Sequence, residues 1–571
     1  MSLSASAPWL NFYGDIPKTI DYPRKTMYQL LEDTARQYPQ YIAYTFLGKD
    51  TDYTTFLRRI DLTARAFHAM GIHRGDRVTI CMANTPQAID SFYALNRLGA
   101  IPNMIHPLSA PQEIAFYLNA SHSKAILTLD QFYYKVEQIL PSLDTACRII
   151  IARVKDELPG VKKALFPVSK AARAVKKLPR TGYILWNDFL NAGRRLKGEL
   201  PPDQGKFDDC GAILYSGGTT GTTKGIMLSN LNFNALGLQT IASSGYPSVA
   251  GMKMLSIMPL FHGFGLGIGI HTALIGGATC ILVPQFSVDI YAGVLRKQKP
   301  NLIPGVPTLF EALLRATTLD GVDLSFLRGI FCGGDSLSPE LKKKVDAFLK
   351  SHHCTEQIRE GYGTTECVTA SCLTPKNFNR SGSIGVPFPD TFYKIVKPGT
   401  TEELPPNTDG EICISGPTVM LGYMDNPEET AQTLRRHPEG RIWLHTGDLG
   451  RMDQDGFVYF RQRIKRMIIT SGYNVYPSQL ENIIDGHEKV LLSCVVGVKD
   501  PYRVQRVKAY VVPMPGVEPT EALKEEILQY CAKHIAKYAL PRELEFRTEL
   551  PKTLVGKVAY RVLEEEANAA Q

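Results

Sequence analysis

The chain has 571 residues, of which 44% are hydrophobic, 21% charged and 9% aromatic. That balance excludes a disordered chain, a collagen-like repeat and a coiled coil, and the length allows about two to four units that each bury a core. The formal charge of +8, from 64 basic and 56 acidic residues, is too small to mark a nucleic-acid partner.

The N-terminal stretch MSLSASAPWLNFYGDIPK lacks the basic and apolar regions of a signal peptide, and the C-terminal ANAAQ carries no lipidation box. Eleven cysteines are scattered, without a CxxC pair or a Cys/His run at zinc spacing. Reduced thiols in a cytoplasmic protein are the expectation.

Along the first half, β-branched strand candidates alternate with helical patterns. Arg77–Met82 leads into Gln87–Leu98, Ala125–Leu129 precedes another helix, and residues 278–283 and 393–396 read as further strands. This alternation predicts α/β layers with parallel sheets. Between Arg153 and Arg180 stand nine basic and two acidic residues, so a surplus of seven charges lies in this one segment. Two readings stay open for 153–180: a solvated surface insertion, or a peripheral contact with anionic lipid on the inner membrane face.

After the apolar Ala212–Tyr215 comes Tyr215-Ser-Gly-Gly-Thr-Thr-Gly-Thr-Thr-Lys-Gly225. Glycines free backbone N–H groups for phosphate oxygens, hydroxyls of Ser216, Thr219 and Thr220 add donors, and Lys224 adds a point charge. Lys224 is followed by glycine and not by Ser or Thr, so this is no Walker A loop. From Lys253 to Asp289 no charged residue intervenes, and Phe264–Val283 is long enough to cross a bilayer. Its five glycines and the nearby Pro259, His262 and His271 instead predict a buried segment lining a cleft. Further on stand Gly333-Gly334, Gly361-Tyr-Gly-Thr-Thr-Glu366, Thr446-Gly-Asp448, the basic run Arg461–Arg466, and Pro551-Lys-Thr-Leu-Val-Gly-Lys557. Past residue 462 a second texture begins, with strands at 495–498 and 508–512 and a helix over 521–538. It predicts a small α+β domain, 463–571, hinged to a large one, 1–462.

In their order and spacing these motifs resemble the adenylate-forming superfamily of acyl-CoA synthetases, nonribosomal adenylation domains and beetle luciferases, over essentially the whole chain. The resemblance implies a large N-terminal domain of layered α/β subdomains plus a small mobile α+β C-terminal domain. It implies that Ser216, Thr219, Thr220 and Lys224 hold the β,γ-phosphates of ATP. Gly333, Gly334, Gly361, Tyr362 and Gly363 would form the adenine slot. Thr365 would contact the α-phosphate, and Glu366 would ligate Mg²⁺. Asp448 and Arg463 would take the ribose, and His262 would flank the substrate carboxylate. Lys557 would bridge carboxylate and α-phosphate in the first step. Lys465 matches the hinge about which the small domain turns, and Gly472 lies on the loop that then faces CoA. Thr223, Gln462 and Arg466 depart from the usual pattern, which leaves the hinge electrostatics open.

No aspartate stands in the 253–289 segment to pair a substrate ammonium, and all three tryptophans (Trp9, Trp186, Trp443) lie outside the Tyr-Gly motif, so an extended apolar pocket is expected. The resemblance is nearest to medium- and long-chain fatty acid–CoA ligases. An aryl-CoA ligase, an acyl-AMP ligase that loads an acyl carrier protein, and a non-catalytic acyl-nucleotide sensor are the alternatives.

Overall fold

The structure is a computed structural model that describes residues 7–165, 178–179, 181–203, 205–216, 223–470, 473–553 and 556–569. Residues 166–177 and 180 of the basic segment 153–180 fall outside these, as do Thr219, Thr220 and Gly472.

The βα alternation read from the sequence becomes two large sheets. In the first, Arg77–Cys81 lies between Ile101–Ile105 and Ala125–Leu129 with all three parallel, and Arg148–Ala152 and Ile184–Leu185 extend the edge. Its other edge is antiparallel: Cys210–Ser216 folds back on Lys224–Ser229, which pairs with Gly422–Tyr423. The second sheet has a parallel centre of Ile358–Tyr362, Gly329–Cys332, Leu302–Gly305, Lys253–Ser256 and Thr279–Leu282. Helix Pro86–Arg97 is buried along nearly its whole length between the layers, with Pro86 at its first turn, where no N–H is needed.

Residues 393–396 do form a strand, Phe392–Val396, but in a third, antiparallel sheet with Gly410–Ser415 and Ile442–Met452. The N-terminal turn Pro8–Phe12 packs Trp9 into the core of this sheet beside Tyr393 and Phe457. Beyond the turn Ile464–Arg466 a smaller C-terminal domain builds its own sheet from Ile468–Thr470, Tyr473–Val475, Val490–Asp500, Val504–Pro513 and Glu543–Phe546. Its helix Glu521–His534 ends four residues short of the sequence expectation, at the extended backbone of Ile535, and a turn over 537–539 follows.

The uncharged segment is buried, as expected, and it is a π-helix over Phe264–Thr272. Among the described residues no helix is long and apolar enough to cross a membrane. Its glycines are there for close approach: a methyl on Gly263 would sit 1.7 Å from the carbonyl oxygen of Val368, and one on Gly265 2.1 Å from that of Pro259. Hydroxyls tie the wide turns, with Ser256 Oγ donating to the Gly269 carbonyl at 2.6 Å and Thr272 Oγ1 to Gly267 at 2.8 Å. Wide turns of this kind gather at functional sites because they re-aim the residues around them.

Candidate active site

Ser216 and Lys224 are cross-strand partners at the end of the Cys210–Ser216/Lys224–Ser229 hairpin where the chain passes from one strand to the other. Lys224 Nζ pairs with Glu429 and lies 5.0 Å from the centre of the Tyr423 ring. Both partners come from the segment Gly422–Thr433, whose strand Gly422–Tyr423 adds to the same sheet edge.

Gly333 and Gly334 follow the strand Gly329–Cys332, and Gly361 and Tyr362 end its parallel neighbour, Ile358–Tyr362. Gly334 is at φ +83°, a conformation that favours glycine. A methyl on Gly363 would meet the Thr369 carbonyl oxygen at 2.2 Å, so the backbone is threaded tightly here. Thr365 and Glu366 lie on a single 3₁₀ turn, Thr365–Cys367, followed by Val368 at φ +64°. A β-branched residue in that region is strained, and here it directly follows the acidic turn. Glu366 Oε1 accepts from the Tyr423 hydroxyl at 2.9 Å, while its carbonyl accepts from Met420 N at 2.8 Å.

Asp448 and Arg463 are paired across adjacent strands, with Arg463 Nε 3.5 Å from Asp448 Oδ1. Asp448 Oδ2 accepts from the Tyr362 hydroxyl at 2.6 Å, which joins this carboxylate to the glycine slot. Burial lifts the Asp448 carboxyl above the usual range, against the pull of Arg463. Across strands this pair holds the tyrosine ring fixed beside Gly361.

His262 precedes the π-helix, and its Nδ1 accepts from Phe264 N at 3.2 Å. The remaining proton of a neutral ring is therefore on Nε2. Burial, with Lys557 near by, pushes its pKa down to about 3, so the ring is neutral at neutral pH. His271, by contrast, is a satisfied core residue: its two nitrogens face Tyr93 OH and Asn234 Oδ1, both at 2.9 Å.

Lys557 comes from the C-terminal domain and reaches into this cleft. A methyl on Gly334 would lie 3.5 Å from its Cε and 4.0 Å from its Nζ. The loop that bears it rests on the large domain through Thr308 Oγ1, which donates to the Gly556 carbonyl at 2.6 Å. Burial lowers the Lys557 pKa; Asp335, Asp448 and Glu366 pull it back up, and Arg463 adds to the lowering. Lys465 is exposed on the turn Ile464–Arg466 and does not join the cleft. Its neighbour Arg466 is half-buried, paired with Glu481 and stacked over Tyr560 at 4.6 Å. The unusual arginine is thus neutralised within the small domain.

From the glycine slot a narrow apolar cavity runs between the π-helix and helix Asn230–Ser243. Gly334 and Tyr362 are part of its lining, with Thr240, Ile241, Val249 and Met254.

Tyr423, Glu429 and Asp335 stand among the site residues although no spacing in the sequence marks them. Glu429 holds the ammonium that the phosphates would need, so ATP must displace it. Glu429→Gln is expected to tighten ATP binding about fivefold, the worth of a partly exposed pair near 1 kcal/mol. Calorimetry on the acid-free protein reads this directly, and unchanged or weaker binding would refute the competition.

Residues 31–424 match the family model of the AMP-binding enzyme, and residues 479–557 that of the AMP-binding enzyme C-terminal domain. The chain is 35% identical over 572 residues to a long-chain-fatty-acid–CoA ligase of Bacillus subtilis (strain 168), covering 99% of each. It is 32% identical to the enzyme of that name from Salmonella typhimurium (strain LT2), covering 98% of each. Among solved structures, the anthranilate CoA ligase AuaEII superposes with a TM-score of 0.83 at 23% identity, over 98% of this chain and 99% of that one. The amide bond synthetase McbA from Marinactinospora thermotolerans gives 0.77 at 23%, over 95% and 99%. With two family models in the expected order, and relatives aligned nearly end to end, the chain belongs to the AMP-binding enzyme family, with a large N-terminal domain and that family's smaller C-terminal domain.

Proposed function

We propose that this protein is an AMP-forming fatty acid–CoA ligase, and the observation that carries the reading is the delivery of Lys557 to the Gly334–Tyr362 slot on the lining of an apolar cavity. A carboxylate oxygen of the acid attacks the α-phosphorus of ATP, the bond to pyrophosphate breaks, and acyl-AMP forms. The CoA thiol then attacks the acyl carbon and AMP leaves.

Two anions meet in the first step. The Lys557 ammonium offsets both, and preorganised charge of this kind commonly supplies most of the rate enhancement in phosphoryl chemistry. His262, neutral and with Nδ1 already accepting, offers its Nε2–H to the substrate carboxylate. Asp448 accepts the ribose hydroxyls with Arg463 beside it, and the Tyr362 ring, held by its hydroxyl, packs on the base. Thr365 contacts the α-phosphate. Glu366, a single carboxylate facing the phosphate hairpin, fits Mg²⁺, which takes one or two carboxylates and completes its shell with phosphate oxygens and water. When bound, that ion offsets charge on the phosphates.

We place the domain boundary at 462/463, and Lys465 at the hinge about which 463–571 turns to bring the Gly472 loop to the CoA thiol. Eleven cysteines without a disulfide among the described residues support a reducing, cytoplasmic setting. The basic surplus of 153–180 supports a peripheral lipid contact.

Pyrophosphate release measured against acids from C2 to C18, with benzoate and cinnamate, tests the reading. Activity that rises with alkyl length and yields thioester with CoA is expected. Preference for aryl acids, or AMP release only with a carrier protein, would replace it, and absence of pyrophosphate exchange would leave a sensor.

A further inference from the structure

A chain of four buried or half-buried polar side chains lies directly behind the turn that carries Asp448. Glu411, on strand Gly410–Ser415, uses both carboxylate oxygens: Oε1 accepts from Gly447 N at 3.1 Å, and Oε2 faces His445 Nδ1 at 3.0 Å. His445 Nε2 faces His437 Nε2 at 3.0 Å, and His437 Nδ1 faces Lys394 Nζ at 3.5 Å. Lys394 also donates to Glu439 Oε1 at 2.5 Å, the oxygen that accepts from Trp443 Nε1 at 2.7 Å.

Only one arrangement of protons satisfies this chain. A lysine ammonium can only donate, so His437 Nδ1 accepts and its proton stands on Nε2. That proton is donated to His445 Nε2, which puts the His445 proton on Nδ1, where it is donated to Glu411. Burial and the Lys394 charge lower the His437 pKa to about 4, and against burial the His445 bond holds Glu411 below its usual range, so a neutral His437 and an ionised Glu411 are in the states this direction needs.

The far end of the chain is the Thr446-Gly447-Asp448 turn. Gly447 is at φ +70°. Thr446 Oγ1 donates to the Ile412 carbonyl at 2.7 Å and accepts from Asp448 N at 3.1 Å. Glu411 ties the turn at Gly447 N, and the bond that holds the Glu411 carboxylate from its other side, from His445 Nδ1–H, has its direction set by a lysine two side chains further along.

Cys413 lies beside the two imidazoles, and its sulfur and their nitrogens fall within 4.8 Å of one another. Three such atoms could take a soft cation. The ammonium at His437 Nδ1 opposes it, because a metal on Nε2 requires Nδ1 to carry a proton and donate.

We infer that Glu411, oriented through His445 and His437 by Lys394, is a positioning residue for the carboxylate that receives the nucleotide ribose. The inference rests on the role given to Asp448 above. With its amide oxygen kept on Gly447 N, Glu411→Gln turns its N–H₂ toward His445 Nδ1, itself a donor. The imidazoles can accommodate it only by reversing both tautomers, which sets His437 Nδ1–H against the Lys394 ammonium. Lys394→Gln offers an amide that can present either its oxygen or its nitrogen, so it fits both directions.

The test is ATP affinity by calorimetry on acid-free protein, with the melting temperature read alongside. Glu411→Gln is expected to weaken ATP about tenfold, the cost of one charge-assisted bond turned against its partner. Lys394→Gln alone should stay within about threefold of the parent, and the double variant should recover most of the loss. Unchanged ATP affinity in Glu411→Gln overturns the inference. So does a loss that the second substitution fails to repair, since Glu411 would then act only as packing. Stoichiometric zinc in the purified protein, with ATP affinity lost on chelation, overturns it in favour of a metal centre. Because no acid is present, a parent protein that binds ATP yet makes no acyl-AMP defeats the proposed activity and leaves this inference standing.

Discussion

Lys557→Ala is expected to lower acyl-AMP formation by roughly 10²–10³, the usual loss when one preorganised charge is removed from a developing anion. Thioester formation from supplied acyl-AMP should be spared, because the lysine serves only the meeting of carboxylate and phosphate. Pyrophosphate exchange reads the first half, and CoA thioester from synthetic acyl-AMP reads the second. Equal loss in both would remove the assigned role. The pH dependence follows from the burial that lowers this lysine's pKa in the nucleotide-free enzyme. The useful form is the ammonium, so activity is full below the lowered pKa and falls as pH rises through it. The alkaline limb of kcat/KM for adenylation should therefore lie below the ordinary lysine range, and it should vanish in Lys557→Ala. His262 adds no limb near neutrality, since its pKa of about 3 keeps it uncharged there.

The second large effect concerns chain length. Thr240, on helix Asn230–Ser243 and not in a nucleotide motif, lines the cavity, and its buried hydroxyl has no hydrogen-bond partner. Thr240→Phe therefore breaks no bond and fills space that the last methylenes of a long acid would occupy. Three displaced methylenes at about 0.8 kcal/mol each correspond to about fiftyfold in kcat/KM for a C16 acid. Octanoate, which does not reach that far, should be used as before. A uniform loss across the acid series would show that the phenyl group distorts the site, and no change would show that the acid lies elsewhere.

Much of the architecture was legible because backbone pattern is local. The β-branched run Arg77–Cys81 followed by the Pro-started helix Pro86–Arg97 encodes a βα unit within one short stretch, and the parallel sheets follow from repeating it. The glycine-rich segment was readable as buried, since nothing charged interrupts it, but its π-helical form was not. Glycine has little preference of its own, and the wide turns are chosen by the Val368 and Pro259 carbonyls packed against it.

The candidate site divides the same way. Motifs that bind through backbone or through a run of neighbours, such as Gly361–Glu366 and Thr446–Asp448, announce themselves in a short stretch. Tyr423 and Glu429 do not. They reach Glu366 and Lys224 because the strand Gly422–Tyr423 adds to an edge laid down two hundred residues earlier in the chain, by Lys224–Ser229. The Cys413, His437 and His445 cluster likewise has no ligand spacing in sequence; it exists because antiparallel register sets Cys413 opposite His445.

What the amino-acid order by itself determined is therefore the set of chemical groups and the fold class that carries them: a phosphate hairpin, an aromatic slot, a lone acidic turn and a terminal lysine. The tertiary structure alone decided which of them meet. An ion pair or a hydrogen-bond direction falls off within a few ångströms, so it is governed by sheet order and strand register, and neither leaves a periodic trace along the chain.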